Sequence, residues 1–230
     1  MSSVDRIKLL EKRYQEILSQ FDFSEIYSDK HLSGVFLAKP EESYFSASRK
    51  VMIIGQETRG WREGSCKIRN GYNTDLESIV DSMNASVNFN YKEPKKSRFR
   101  QFYKKASKTL NPTSSNPKNS AVWSNQFCMS FKKKSPRKSE LFPQIQELSS
   151  LLLKAQFEIL KPDVVIFTVG SGRDFFIKET FKHETIKVIT PRRLWHFKIG
   201  DTHCFRVNHP RWSGSYPYLN EAIDLAKKFT

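Results

Sequence analysis

The sequence predicts an α/β fold: a three-layer α/β/α sandwich around a central, mostly parallel sheet of about four to five strands. Three observations carry this expectation. Short apolar runs recur along the chain, Val51-Met-Ile-Ile and Ala121-Val-Trp among them. Segments with helical spacing of apolar residues alternate with those runs. The run Asp163–Val169 is almost continuously apolar, as a strand covered on both faces must be.

In chain order, Val4–Phe21 places Ile7, Leu10, Tyr14, Ile17, Leu18 and Phe21 at helical spacing, giving an amphipathic helix. The stretch to Arg49 is irregular, and Val51–Ile54 is a buried strand. Thr74 is placed to cap a helix running to about Val87, with Glu77 in the capping-box position. Asn88–Lys96 reads as a polar loop and Arg98–Leu110 as a basic helix. Asn111–Asn119, rich in Asn, Pro and Ser, is a loop. Ala121–Asn125 is the second strand, Lys132–Lys138 a basic loop, and Glu140–Leu160 a long helix stopped by Lys161-Pro162. Gly170-Ser-Gly-Arg173 follows the third strand and opens a helix to about Lys182. Ile186–Ile189 and Cys204–Val207 are further strands, and Tyr216–Phe229 is a closing helix. With no internal repeat, residues 1–230 read as a single domain whose N-terminal helical segment, about 1–48, packs on the core.

The 230 residues are 38% hydrophobic, enough for a folded core, and carry a net charge of +15. An enzyme of small neutral metabolites has no need of that excess. Lys and Arg gain affinity for a polyanion by displacing counterions from its phosphates, so a nucleic acid is the expected partner. No apolar stretch approaches the ~20 residues that span a bilayer, and Met1–Gln20 lacks the apolar core of a signal peptide. Cys66, Cys128 and Cys204 form no Cys-x-x-Cys pair, which argues against a zinc ribbon or an iron–sulfur cluster. The expected compartment is reducing: cytoplasmic or nuclear, and not secretory.

The polar residues at the strand ends suggest the chemistry. Glu57, Asn125 and His209 each follow an apolar run, in Gly55-Gln56-Glu57-Thr58-Arg59-Gly60-Trp61, Val122-Trp-Ser-Asn125 and Val207-Asn-His209-Pro-Arg211-Trp212. In open α/β sheets the carboxyl ends of the strands form the ligand crevice. A carboxylate, an amide and an imidazole at those ends predict an active site.

Taken in order, these motifs resemble those of the uracil-DNA glycosylase superfamily. Gly55-Gln56-Glu57-Thr58-Arg59 stands where that family has Gly-Gln-Asp-Pro-Tyr. Asn125 stands where a strand-end Asn reads the flipped base, and Gly170-Ser171 where a Gly-Ser turn approaches a phosphate. His209-Pro210-Arg211-Trp212 stands where the family has His-Pro-Ser-Pro. The match spans Val51 to Trp212. It departs at Glu57 for Asp, at Thr58-Arg59 for Pro-Tyr, and in the second half of the last motif. The resemblance implies a monofunctional DNA glycosylase that leaves an abasic site, works without metal or cofactor, and acts as a monomer on single- or double-stranded DNA. No membrane and no obligatory protein partner is implied.

The chemistry fits these residue types. Hydrolysis of an N-glycosidic bond builds positive charge on the sugar and negative charge on the leaving base. Glu57 is the candidate to stabilise the oxocarbenium and activate water. Asn125, with Gln56 beside the pocket, is the candidate to read a base that must first leave the stack. A neutral His209 is the candidate to donate to the departing base, as the resemblance implies. Arg59 has two readings. In one it opens room for a pyrimidine with a large 5-substituent, where the family's Tyr would exclude a methyl. In the other it contacts a phosphate, while Trp61 or Tyr72 packs on the base. Uracil is the family's default base; a 5-substituted cytosine of foreign or viral DNA is the alternative. Trp212 and Arg211 occupy the place of the family's wedge, Trp212 having a buried position as its other reading. Ser213 suits a mobile loop contacting phosphate, and Ser171 and Arg173 suit a phosphate at a helix N-terminus. Lys95–Lys105 and Lys132–Lys138 supply diffuse attraction. The rival function is a non-catalytic nucleic-acid-binding module on the same fold. A serine hydrolase would need a Gly-x-Ser-x-Gly elbow, which is absent, and a metal nuclease an acidic cluster at the strand ends.

Overall fold

The computed structural model describes residues 2–91 and 97–229. In chain order they form α1 (Ser3–Leu18), α2 (Phe23–Ile26), α3 (Glu42–Phe45), β1 (Val51–Gly55), α4 (Lys67–Gly71), α5 (Leu76–Tyr91), α6 (Arg98–Leu110), β2 (Val122–Asn125), α7 (Phe142–Leu160), β3 (Val164–Phe167), α8 (Asp174–Thr180), β4 (Glu184–Thr190), β5 (Leu194–Ile199), β6 (Thr202–Val207) and α9 (Tyr216–Ala226). The α/β class is as expected. One sheet has the order β2-β1-β3-β6-β5-β4. β1, β3 and β6 run parallel, while β5 and β4 extend the sheet antiparallel. Every residue of β1, β2 and β3 is buried, as in strands covered on both faces. This is compatible with the three-layer arrangement.

The sheet is 6-stranded rather than of four to five strands. The additional strand is β5, Leu194-Trp-His-Phe-Lys-Ile199, whose first four residues are all buried. That burial mixes apolar residues with His196, so the alternation that marks a strand is lost.

The chain divides into two compact units, each assembled from three segments. The first comprises Met1–Lys39, Gln56–Phe89 and Asn125–Ile159. It is mainly helical. α1 opens on a capping box between Ser2 and Asp5 and buries Leu10, Tyr14, Ile17 and Leu18. The Tyr14 hydroxyl donates to Ala38 O (3.0 Å), and Ser82 Oγ in α5 donates to Val35 O (2.6 Å). The cap of α5 is Asp75 rather than Thr74: Asp75 Oδ1 accepts from Ser78 N–H at 2.7 Å. A carboxylate there also complements the helix dipole. α5 continues past Val87 to Tyr91, so Asn88–Tyr91 is helical and not loop. The rest of the expected Asn88–Lys96 loop, like Lys95 and Lys96, lies outside the described residues. Phe89 meets Trp61 edge-on at 5.6 Å, a tertiary contact that secures the added turn.

The second unit comprises Pro40–Gly55, Asn90–Ser124 and Leu160–Thr230 and holds the sheet except for Asn125. α6 packs on β1 and α9 on β6, and the two helices touch each other. α6 turns Phe102, Tyr103, Ala106, Ser107 and Leu110 inward. Arg49, just before β1, ties the two helix ends together. Its guanidinium donates to Leu110 O (2.8 Å), Lys227 O (3.0 Å) and Phe229 O (2.5 Å). The Leu110 and Lys227 carbonyls close α6 and α9, where carbonyls lack partners within the helix, and a cation there opposes the negative dipole end.

Candidate active site

The first unit carries Glu57 and Asn125. Gln56 O accepts from Phe127 N–H at 2.9 Å, so the segments leaving β1 and β2 run together. That contact places the carboxylate and the amide of two neighbouring strand ends in one unit. Glu57 and Gln56 are half-buried, Asn125 and Thr58 are buried, and Arg59 is exposed. Trp61 anchors the loop. It is 7% exposed, and its ring lies edge-on to Phe36 at 5.2 Å and to Phe89. Gly34 N–H donates to Trp61 O (2.7 Å), and Arg62 pairs with Asp81 at 2.7 Å. Tyr72 is exposed and stacks near Tyr27 at 6.3 Å, a partner within the same unit.

The second unit carries the remaining candidates. Because β1, β3 and β6 are parallel, their carboxyl ends share one edge of the sheet. Gly170 leaves β3 at φ 80°, ψ 159°, a region essentially reserved for glycine, and its N–H donates to Val207 O at 2.9 Å. Ser171 is half-buried and Arg173 is buried. Arg206, buried in β6, grips Asp174 through two contacts, Nη2 to Oδ2 at 2.9 Å and Nε to Oδ1 at 2.7 Å. Burial raises the Asp174 carboxyl, and Arg206 opposes the rise.

His209 Nδ1 accepts from Arg211 N–H at 3.1 Å. A backbone N–H can only donate, so Nδ1 carries no proton and the neutral ring holds its hydrogen on Nε2. The Nε2 edge of His209 is therefore a donor. The ring stacks at 6.2 Å on Phe99, which in turn meets Trp123 at 5.6 Å. Trp212 is 39% exposed rather than buried, with the Arg193 guanidinium 4.0 Å over its ring. Arg211 and Ser213 are exposed. In the orientation that satisfies both ends, the Asn208 amide accepts from Arg193 Nη1 (3.1 Å) and donates to Arg192 O (3.3 Å).

Three of these partners carry no expectation from the sequence: Phe99, Asn208 and Arg193. The adjacent Arg192-Arg193 pair after Pro191 is a readable signal of a basic turn. Phe99 has none, since its helix carries a generic amphipathic pattern. Among the described residues, no group of three or more His, Cys, Asp or Glu is placed to hold a metal ion, and no helix is long and apolar enough to cross a membrane. No protein-family model and no curated protein matches the chain.

Proposed function

We propose that this protein is a monofunctional DNA glycosylase that hydrolyses the N-glycosidic bond of a flipped pyrimidine, uracil or a 5-substituted cytosine, and leaves an abasic site. The observation that carries the reading is the Gln56–Phe127 hydrogen bond, which holds the Glu57 and Asn125 segments side by side. In this reading Glu57 stabilises the oxocarbenium and orients water, and Asn125 reads the base edge. His209, fixed as an Nε2 donor by Arg211 N–H, stabilises the anionic leaving base. The net charge of +15 and the exposed Arg211 and Trp212 support a DNA partner.

The test is base release from oligonucleotides carrying uracil, thymine mismatches, and cytosines with methyl, hydroxymethyl or glucosylated 5-substituents, in chelator. Alkali then reveals abasic sites. Glu57→Gln should lower release by about a hundredfold or more while DNA binding is kept. Tight binding with no base released from any substrate would sink the catalytic reading and leave a binding module.

A further inference from the structure

Lys132 and Lys133 form the two central residues of a tight turn in which both adopt the left-handed conformation, φ 48° and 56°. Phe131 and Lys134 pair across it, with Phe131 N–H donating to Lys134 O (3.0 Å) and Lys134 N–H to Phe131 O (2.8 Å). A turn of this kind, with both central φ positive, strongly prefers Asn-Gly. Two lysines are a poor local choice, because a Cβ is disfavoured in that region. What the two lysines add there is a pair of ammonium groups at adjacent positions.

Both residues line a defined cleft. It has a volume of about 260 Å³ and is lined by Lys30, His31, Glu63, Arg69, Lys132 and Lys133, all within the first unit. The cleft is braced. Arg69 donates to Lys30 O (3.0 Å), Leu32 O (3.0 Å) and Glu63 O, tying two of its walls together. Lys132 N–H donates to His31 O (3.0 Å) and its Nζ sits 5.0 Å over the Phe131 ring. Against three lysines, with the Arg69 donors spent on carbonyls, stands one carboxylate, Glu63, 3.9 Å from Lys133. The Lys133 stem lies over Gly60, where a Cβ would be 3.3 Å from its Cγ, and Gly60 N–H is held by Ser130 Oγ at 3.1 Å. Gly60 belongs to the same loop as Glu57.

We propose that this cleft is a phosphate-binding site that grips a backbone phosphodiester of the DNA substrate beside the Glu57 loop. The inference deepens the DNA-directed reading above and rests on it for the identity of the polyanion. Lysine suits the task as a compact charge for a phosphate oxygen.

The test is the double variant Lys132→Asn, Lys133→Gly, which replaces the pair with the residues the turn prefers. The variant should fold and gain a few degrees in Tm. Binding to an unmodified duplex should weaken about five- to tenfold at low salt. The slope of log K against log salt should fall in magnitude by about one for each phosphate the cleft no longer neutralises. The control removes the same charge from α1, as Lys8→Asn, Lys12→Asn, and should change the slope less. Equal weakening in both variants would mean diffuse attraction and would overturn the site, as would an unchanged slope in the turn variant. Loss of binding to phosphatidylserine vesicles with DNA binding intact would also overturn it. Because the binding assay needs no base release, the two readings fail separately. A reduced slope with no base ever released sustains the cleft against the glycosylase assignment. Base release with an unchanged slope does the reverse.

Discussion

Gly34 and Gly170 resist substitution for different reasons. A methyl at position 34 would lie 2.6 Å from Cys66 Cβ and 2.9 Å from Trp61 O, both packed in the interior of the first unit. Gly34→Ala should therefore cost about 1–3 kcal/mol through overpacking, read as a lower denaturant midpoint at unchanged m-value. Since Gly34 N–H also holds Trp61 O, the displacement would pass into the loop that carries Glu57. At Gly170 there is room: a Cβ would meet only the Asn208 side-chain amide, at 3.4 Å. The obstacle is the backbone, held at φ 80°. Gly170→Ala should cost about 1–3 kcal/mol of conformational strain, with the effect confined to stability and to interactions made by Ser171. The sequence made Gly170 legible, because Gly-Ser follows an apolar run. Gly34 gave no sign, because what crowds it arrives from Trp61 and Cys66, far along the chain.

The β5–β6 hairpin contains a histidine pair. His196 Nε2 and His203 Nδ1 are 3.0 Å apart, so one donates and the other accepts, and both rings stack within an aromatic cluster with Phe205 and Phe229. Burial, and then the neighbouring His203, push His196 down to about 4. Burial and Lys198 lower His203 as well. Folded His196 thus resists a proton that the unfolded chain takes up near 6.5, the ordinary histidine value. Between about 6.5 and about 4 the unfolded state binds more protons, so stability falls as pH falls through that window. His196→Phe keeps the stack on Phe205 and removes the larger of the two titrations, leaving that of His203. The dependence of Tm on pH should flatten in that window; a variant curve as steep as the parent's would refute the assignment. The same histidine explains why β5 was hard to foresee. A neutral, stacked imidazole behaves as a core aromatic, yet in a sequence it counts as polar and breaks the apolar run. β1 and β3 were legible for the opposite reason, since both their faces are apolar.

At the scale of the whole molecule, the net charge of +15 already cancels ion pairs such as Arg62–Asp81 and Arg206–Asp174. Of the excess cations, Arg49 is committed to helix-end carbonyls and Arg69 to loop carbonyls. Exposed lysines outside such pairs as Lys67–Glu77 and Lys227–Asp224, together with Arg59, Arg192 and Arg211, face solvent and are open to a partner. The logarithm of DNA affinity should fall linearly with log salt, with a slope of about 5–9 in magnitude, as for a protein making some 6–10 phosphate contacts. A salt-independent affinity would argue against a backbone-directed mode. Glu57, Asn125 and His209 were legible as candidates because each is a polar residue that follows an apolar run. Their supports were not: Phe99 reaches His209, and Phe127 reaches Gln56, only through the tertiary fold. The strand order has a further consequence, for synthesis. β1 pairs with β3, and β3 joins the β4–β5–β6 meander only through β6, among the last strands to be made. At about 5–20 residues per second, Val51–Gly55 leaves the ribosome several seconds before Val164–Phe167 can cover its edge. During that interval Met52-Ile-Ile is an apolar strand with at most its β2 neighbour in place, so the nascent chain rather than the finished protein is the form most in need of a chaperone.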